Sequence, residues 1–139
     1  WIQSVYQKTQ GEIISIDGKT LRRSHDRSKA QEPLHLISAW ASANHLVLGQ
    51  LKSEGKANEI LSIPKLLEIL DLGGCIVTLD AMGTQKDIAR KIQDKQADYV
   101  LALKANHGLL HQEVQQYWRD PSLPASEYDF YENTEKTAR

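Results

Sequence analysis

The chain has 139 residues, 40% of them hydrophobic and 25% charged, enough for one globular domain with an ordinary core. A formal net charge of −1 removes any global electrostatic argument for a nucleic-acid partner, so such a surface would have to be a local patch. No apolar run is long enough to cross a membrane, and the single cysteine, Cys75, excludes a disulfide framework or a multi-cysteine zinc site.

In chain order, Ile2, Val5 and Tyr6 fall at helical spacing and are expected to finish a helix of a preceding region, residues 1–10. The chain opens on Trp1, with neither a charged leader nor a signal-like apolar stretch. It is expected to be a cytoplasmic segment of something longer. After Gly11 a strand is predicted over Glu12–Asp17, ending in an aspartate that Gly18 follows. The polar stretch Lys19–Lys29, with five Lys/Arg against one Asp, reads as a loop. Leu34–Ala41 and Leu46–Leu51 alternate loosely and predict a hairpin through Ser42–His45.

Asn58 is placed to cap a short helix, and Pro64 suits the first turn of the next, whose apolar face is Ile63, Leu66, Leu67 and Leu70. Gly73-Gly74 stops it. A buried strand, Cys75–Asp80, follows with an apolar, largely β-branched run and a second terminal aspartate; Cys75 itself reads as a small core residue. Thr84-Gln85-Lys86-Asp87 resembles a capping box ahead of a helix marked by Ile88 and Ile92. Tyr99–Leu103 is a further strand. Leu110, Val114, Tyr117 and Trp118 then mark a last helix before a polar tail, residues 120–139. Trp40 and Trp118 are core candidates.

The order is β-β-β-α-β-α-β-α, a meander followed by alternating units that imply parallel strands. This is the order of the ribonuclease-H-like fold, an α/β mixed sheet flanked by helices. Strand one is central there, beside the strand that follows the first helix, so Asp17 and Asp80 would lie together at one sheet end, where α/β proteins place their ligands. One strand-end aspartate is explained by loop amides. Two of them, each after a buried run and each followed by a glycine turn, favour a divalent-metal site, since Mg²⁺ takes hard oxygen ligands with water and phosphate completing its shell.

Several segments carry a family resemblance: Ile16-Asp17-Gly18-Lys19-Thr20-Leu21-Arg22, Leu48-Gly49-Gln50, Lys56-Ala57-Asn58-Glu59-Ile60, Ile63-Pro64 with Leu66-Leu67, Leu79-Asp80-Ala81-Met82-Gly83-Thr84-Gln85 and Tyr99–Asn106. From about Gly11 to Trp118 the chain resembles the ISAs1-type transposases, which include the H-repeat-associated proteins, within the wider DDE group. The resemblance implies a catalytic core over residues 11–119 that cuts and joins double-stranded DNA at transposon ends with Mg²⁺ or Mn²⁺. Asp17 would be its first acid and Asp80 its second. It also implies a bacterial cytoplasmic protein, allows a homo-oligomer and offers no membrane role.

In such enzymes the third acid is a glutamate in a Gly-Arg-Ile-Glu-like segment on a later helix. No such segment occurs before Arg139, and the surroundings of Glu113 do not match it. The expectation is that the chain stops short of this residue, folds, holds metal weakly and does not catalyse transposition alone. The alternative is a non-catalytic remnant that binds DNA or a partner.

Of the basic residues, Lys19, Arg22, Arg23 and Arg27 lie in a loop that either meets DNA phosphates or is simply solvated. Lys104 and Asn106, at a strand end, either touch phosphate or, for Asn106, cap a helix. His107 and His111 read as surface histidines despite their i, i+4 spacing. A haloacid-dehalogenase phosphatase is excluded because Ser15 stands at the nucleophile position of the Asp-x-Asp-Gly-Thr pattern.

Overall fold

The computed structural model describes residues 10–21, 24, 33–53, 55 and 58–119. The chain divides into two compact units, residues 1–106 and 107–139. Among the described residues the first holds five strands and two helices: β1 (Ile13–Thr20), β2 (His35–Ala41), β3 (Leu46–Ser53), α1 (Glu59–Ile69), β4 (Ile76–Leu79), α2 (Lys86–Asp94) and β5 (Asp98–Leu101). The second begins within a 3₁₀ turn, Ala105–His107, and continues as α3 (Gly108–Arg119). The expected element order is the one observed. No helix among the described residues is long and apolar enough to cross a membrane.

The strands form one mixed sheet in the order β3-β2-β1-β4-β5. β1 pairs antiparallel with β2 and parallel with β4, and β4 pairs parallel with β5. Because strand side chains alternate, one face of the sheet collects Ile14, Ile16, Ile37, Ala39, Ala41, Val77 and Leu79. Ile63, Leu66 and Leu67 of α1 and Ile88 and Ile92 of α2 close over that face in one apolar cluster, together with Cys75. The other face carries Ser15 and Asp17 of β1, with Ile13, Trp40, Val47 and Val100 exposed.

Elements depart from expectation where tertiary pairing overrides local signals. β1 does not stop at Asp17; it runs on to Thr20 because β2 keeps pairing with it, from Asp17↔Ser38 to Thr20↔His35. The two short helices expected around Asn58 and Pro64 are one helix, α1, with Pro64 inside it. Proline removes the N–H that would bond the Ile60 carbonyl, so the helix passes this position with one backbone bond fewer. Asn58 stands at the N-cap position but makes no side-chain capping bond. Trp40 and Trp118 are not core residues: they are 40% and 59% exposed, and α3 buries none of its residues.

Two lysines of α2 and its C-cap bind α1 to α2. Lys91 donates to the Glu68 carboxylate and holds it below the ordinary carboxylate pKa. Lys95 Nζ donates at 2.7 Å to the Glu68 and Leu70 carbonyls, satisfying the carboxyl end of α1. At the amino ends of the strands, Gly11 N–H donates to Gly74 O and Gly74 N–H to Gln96 O, both at 2.7 Å. Gly74 has φ +74, a conformation that glycine adopts without strain.

Leu66 is fully buried between α1 and the sheet, whereas Leu61 of the same helix is 65% exposed. Leu66→Ala is expected to cost about 2–5 kcal/mol and Leu61→Ala less than about 0.5 kcal/mol, read from urea unfolding midpoints. Equal losses would show that α1 does not dock by this face.

Candidate functional site

The parallel ladder between β1 and β4 runs Ile13↔Ile76, Ile14↔Val77, Ser15↔Thr78 and Ile16↔Leu79. One residue further on each strand come Asp17 and Asp80, both exposed. Side chains two apart on a strand share a face, so Ser15 and Asp17 stand on the same side, and Thr78 and Asp80 likewise. The Thr78 hydroxyl donates to Ser15 Oγ at 3.1 Å, which ties the two strands together one step behind the acids. Neighbouring strands lie about 4.8 Å apart. The two carboxylates therefore begin next to each other at the carboxyl end of the parallel pair.

Asp80 is held by its own turn. Its Oδ1 accepts the amides of Met82 at 3.0 Å and Gly83 at 3.1 Å, so loop amides engage one carboxylate oxygen and the turn makes no demand on Oδ2. Thr84 does not cap α2. Gln85 is the N-cap, without a side-chain capping bond, and Thr84 Oγ1 lies 2.8 Å from Ala102 O and 3.1 Å from Asp80 O. This hydroxyl bolts the end of β4 to the residue after β5. The side-chain nitrogen of Asn106 donates to Ala81 O at 2.9 Å and thus braces the same turn from the far side.

The remaining candidate residues separate into two groups. Lys19 is exposed two residues beyond Asp17 on the same face, and Lys104 is exposed after β5. Arg22, Arg23 and Arg27 lie outside the described residues. The stem of their loop is described: Leu21 N–H donates to Leu34 O at 2.8 Å, and Ser24 Oγ bridges Leu21 O and Leu34 N–H, each at 2.6 Å.

On the helix-covered face beneath this site lies a polar group that the sequence reading passed over. His35 and Glu59 are 2% and 6% exposed. His35 Nδ1 is 2.8 Å from Thr20 Oγ1, and its Nε2 is 2.5 Å from Glu59 Oε1. Nε2 has no aligned hydrogen bond, so its tie to Glu59 is a close polar contact rather than a well-directed N–H bond. The signal was available: His35 is in phase with Ile37, Ala39 and Ala41, so alternation puts an imidazole on the buried face. A second buried acid, Glu12, accepts the Ala43 and Asn44 amides and the Asn44 side chain, and so clasps the β2–β3 turn.

Two adjacent exposed carboxylates suit Mg²⁺ or Mn²⁺, which need one or two protein oxygens and leave other positions to water and phosphate. Among the described residues no group of three or more His, Cys, Asp or Glu side chains gathers. His107 and His111 belong to the second unit, where His111 Nε2 lies 3.5 Å from Gln115 Nε2.

Strand order and pairing give the α/β mixed sheet of the ribonuclease-H-like fold. A family model described as the transposase DDE domain matches residues 8–137, and the chain belongs to that family. Among its relatives in Escherichia coli (strain K12), YncI is 54% identical over 111 residues, covering 80% of this chain and 45% of YncI. YbfD, an H repeat-associated protein, is 40% identical over 137 residues, covering 99% of this chain and 54% of YbfD. Both carry transposase names. The chain thus spans about half the length of these relatives.

Two solved structures share the fold at low identity. The piggyBac transposase synaptic complex with hairpin DNA matches 84% of this chain and 27% of that one, at TM-score 0.55 and 13% identity. The simian T-cell lymphotropic virus intasome with PP2A regulatory subunit B56 gamma matches 90% of this chain and 48% of that one, at TM-score 0.50 and 10% identity.

Thr84 is 9% exposed and its hydroxyl serves two carbonyls. Thr84→Val keeps the shape and removes that hydroxyl, and is expected to cost about 1–3 kcal/mol in denaturant unfolding. A loss within error of zero would mean that the bolt between β4 and β5 carries no load.

Proposed function

We propose that this chain supplies two acids of a metal-dependent phosphodiester-transfer site in an ISAs1-type transposase. The observation that supports it best is the β1–β4 register, which ends one residue short of both Asp17 and Asp80. On this reading residues 11–119 are the catalytic core, and the whole protein cuts and joins double-stranded DNA at transposon ends in the bacterial cytoplasm, as a homo-oligomer or alone. Asp17 and Asp80 would hold Mg²⁺ or Mn²⁺. When bound, such ions activate a water or hydroxyl and stabilise the leaving oxygen of a phosphodiester.

The chain's own residues do the holding and orienting. Asp80 offers Oδ2 while its Oδ1 is tied to the Met82 and Gly83 amides, which fixes the carboxylate plane. Lys19, Arg22, Arg23 and Arg27 draw DNA phosphates toward Asp17, and Lys104 does the same beside Asp80. Asn106 keeps the Asp80 turn in place through Ala81 O and stays with Lys104 among the residues proposed to meet phosphate. The solved transposase complex contains DNA, which is in keeping with DNA as the partner here.

A second reading has one observation in its favour: no third His, Cys, Asp or Glu joins the two aspartates among the described residues. A non-catalytic remnant would keep the fold and the basic loop, bind DNA or a partner, and lack metal dependence.

Mn²⁺ titration followed by paramagnetic broadening of amide NMR signals separates the two. Broadening is expected around residues 17 and 80 in the wild type and is expected to vanish in Asp80→Ala. A folded wild type and variant that respond alike would transfer support to the remnant. DNA binding measured against salt is expected to lose about one unit of slope in Lys19→Ala; an unchanged slope would remove Lys19 from the interface.

A further inference from the structure

The geometry points to Thr20, His35 and Glu59 as positioning residues, a clamp built on the buried His35–Glu59 pair that sets Asp17 and the stem of the basic loop against α1. This rests on the metal-site reading of Asp17 given above. Thr20↔His35 is the last rung of the β1–β2 ladder, three residues beyond Asp17, and Glu59 is the first residue of α1. The three side chains therefore join the outgoing end of β1, the incoming end of β2 and the start of a helix at one point. From that point the chain leads through Leu21 and Leu34, which are hydrogen-bonded to each other, into the basic loop.

Gly18 gives the clamp its seat. It lies between Asp17 and Thr20 with its missing side chain toward the clamp. A Cβ there would fall 2.6 Å from Glu59 Cδ and 2.9 Å from His35 Nε2, well inside contact distance. Both neighbours are themselves buried and in contact with each other, so neither swings away freely. Gly18 is thus required by close approach, not by an unusual backbone angle. The peptide carrying Asp17 rests directly on the His35–Glu59 pair, with Asp17 on the opposite face of the sheet.

Stability does not account for such a group. Burying an imidazole and a carboxylate costs solvation that their attraction only partly returns, and apolar residues of similar volume often serve stability as well or better. What the clamp supplies is a single geometry. Ligating carboxylates tolerate only small displacements, and the groups that orient them typically matter about ten- to hundredfold in metal affinity. The β2 ladder and the Leu21–Leu34 bond hold the backbone of this end of β1, and the clamp adds the side-chain tie from it to α1; the Ser15–Thr78 bond lies behind Asp17, and the amides that hold the acid pair's other member belong to the Asp80 turn.

The test uses the 139-residue chain as wild type, Gly18→Ala, Glu59→Gln and Thr20→Val, with Ile92→Val as a destabilised control in α2, remote from the site. Mn²⁺ affinity, unfolding midpoints and ¹³C-carboxyl and amide NMR shifts are recorded for each. Gly18→Ala and Glu59→Gln are expected to lower Mn²⁺ affinity about tenfold or more while remaining folded. Thr20→Val should fall in the same direction, and Ile92→Val should stay within about twofold of wild type. Clamp variants that bind Mn²⁺ as the wild type does, or lose no more than the control, would overturn the assignment. If the wild type binds no Mn²⁺, the metal reading fails by itself. The clamp is then judged on Asp17, whose carboxyl and amide signals must shift in Gly18→Ala and Glu59→Gln while those of Val77 stay in place. Unmoved Asp17 signals would overturn it independently.

Discussion

The parallel pairing of β1 with β4 is the constraint on which the rest of this structure depends. Parallel strands cannot be joined by a tight turn, so the chain must travel out and back before the pair can form. Here the excursion is the β2–β3 hairpin and α1, and both are used. The hairpin extends the sheet on one side, and α1 seals the core face. β4 has only four residues, so the junction is short, and it gains support from neighbours: β2 on one side, β5 on the other, and the Ser15–Thr78 hydroxyl bond within it. Where the pairing ends, two aspartates begin.

The two faces of the sheet divide the labour. The helix-covered face carries the apolar cluster and, at one margin, the Thr20–His35–Glu59 group. The other face carries Asp17, Asp80 and Lys19 in the open. Alternation along β1 links them, since exposed Asp17 follows buried Ile16 and precedes Gly18, which turns to the helix-covered face. Asp80 is governed differently. Its strand has ended, and its position comes from the Met82 and Gly83 amides on its carboxylate, the Thr84 hydroxyl on its carbonyl and the Asn106 side chain on the carbonyl of Ala81 next to it.

Much of this was legible in the sequence because the signals were strong and local. The β-branched run Ile76–Leu79 and the Gly73-Gly74 break mark β4 almost to the residue, and Ile63, Leu66 and Leu67 mark the buried stripe of α1. The element order carried the topology. What was not legible depended on partners distant in the chain. Asp17 reads as a strand end because Gly18 follows it, yet β2 keeps the strand going to Thr20. Thr84 reads as a helix cap, yet the carbonyls of Asp80 and Ala102 compete for its hydroxyl. Pro64 reads as a helix start, yet packing of Ile63 and Leu66 on the sheet carries one helix through it. Trp40 and Trp118 read as core because they are large and aromatic; their exposure follows from which face they occupy, which size cannot reveal.

The distance along the chain between the two acids has its own consequence. Ser15 and Thr78 are 63 residues apart, whereas the hairpin closes over four residues. Loop-closure entropy rises with the length of chain enclosed, so the hairpin can form locally while the β1–β4 junction waits for the core between them. In the unfolded chain the aspartates are two unrelated acids. They become a pair only when β1 and β4 come together, so the charged site exists only in a chain that has closed this long excursion.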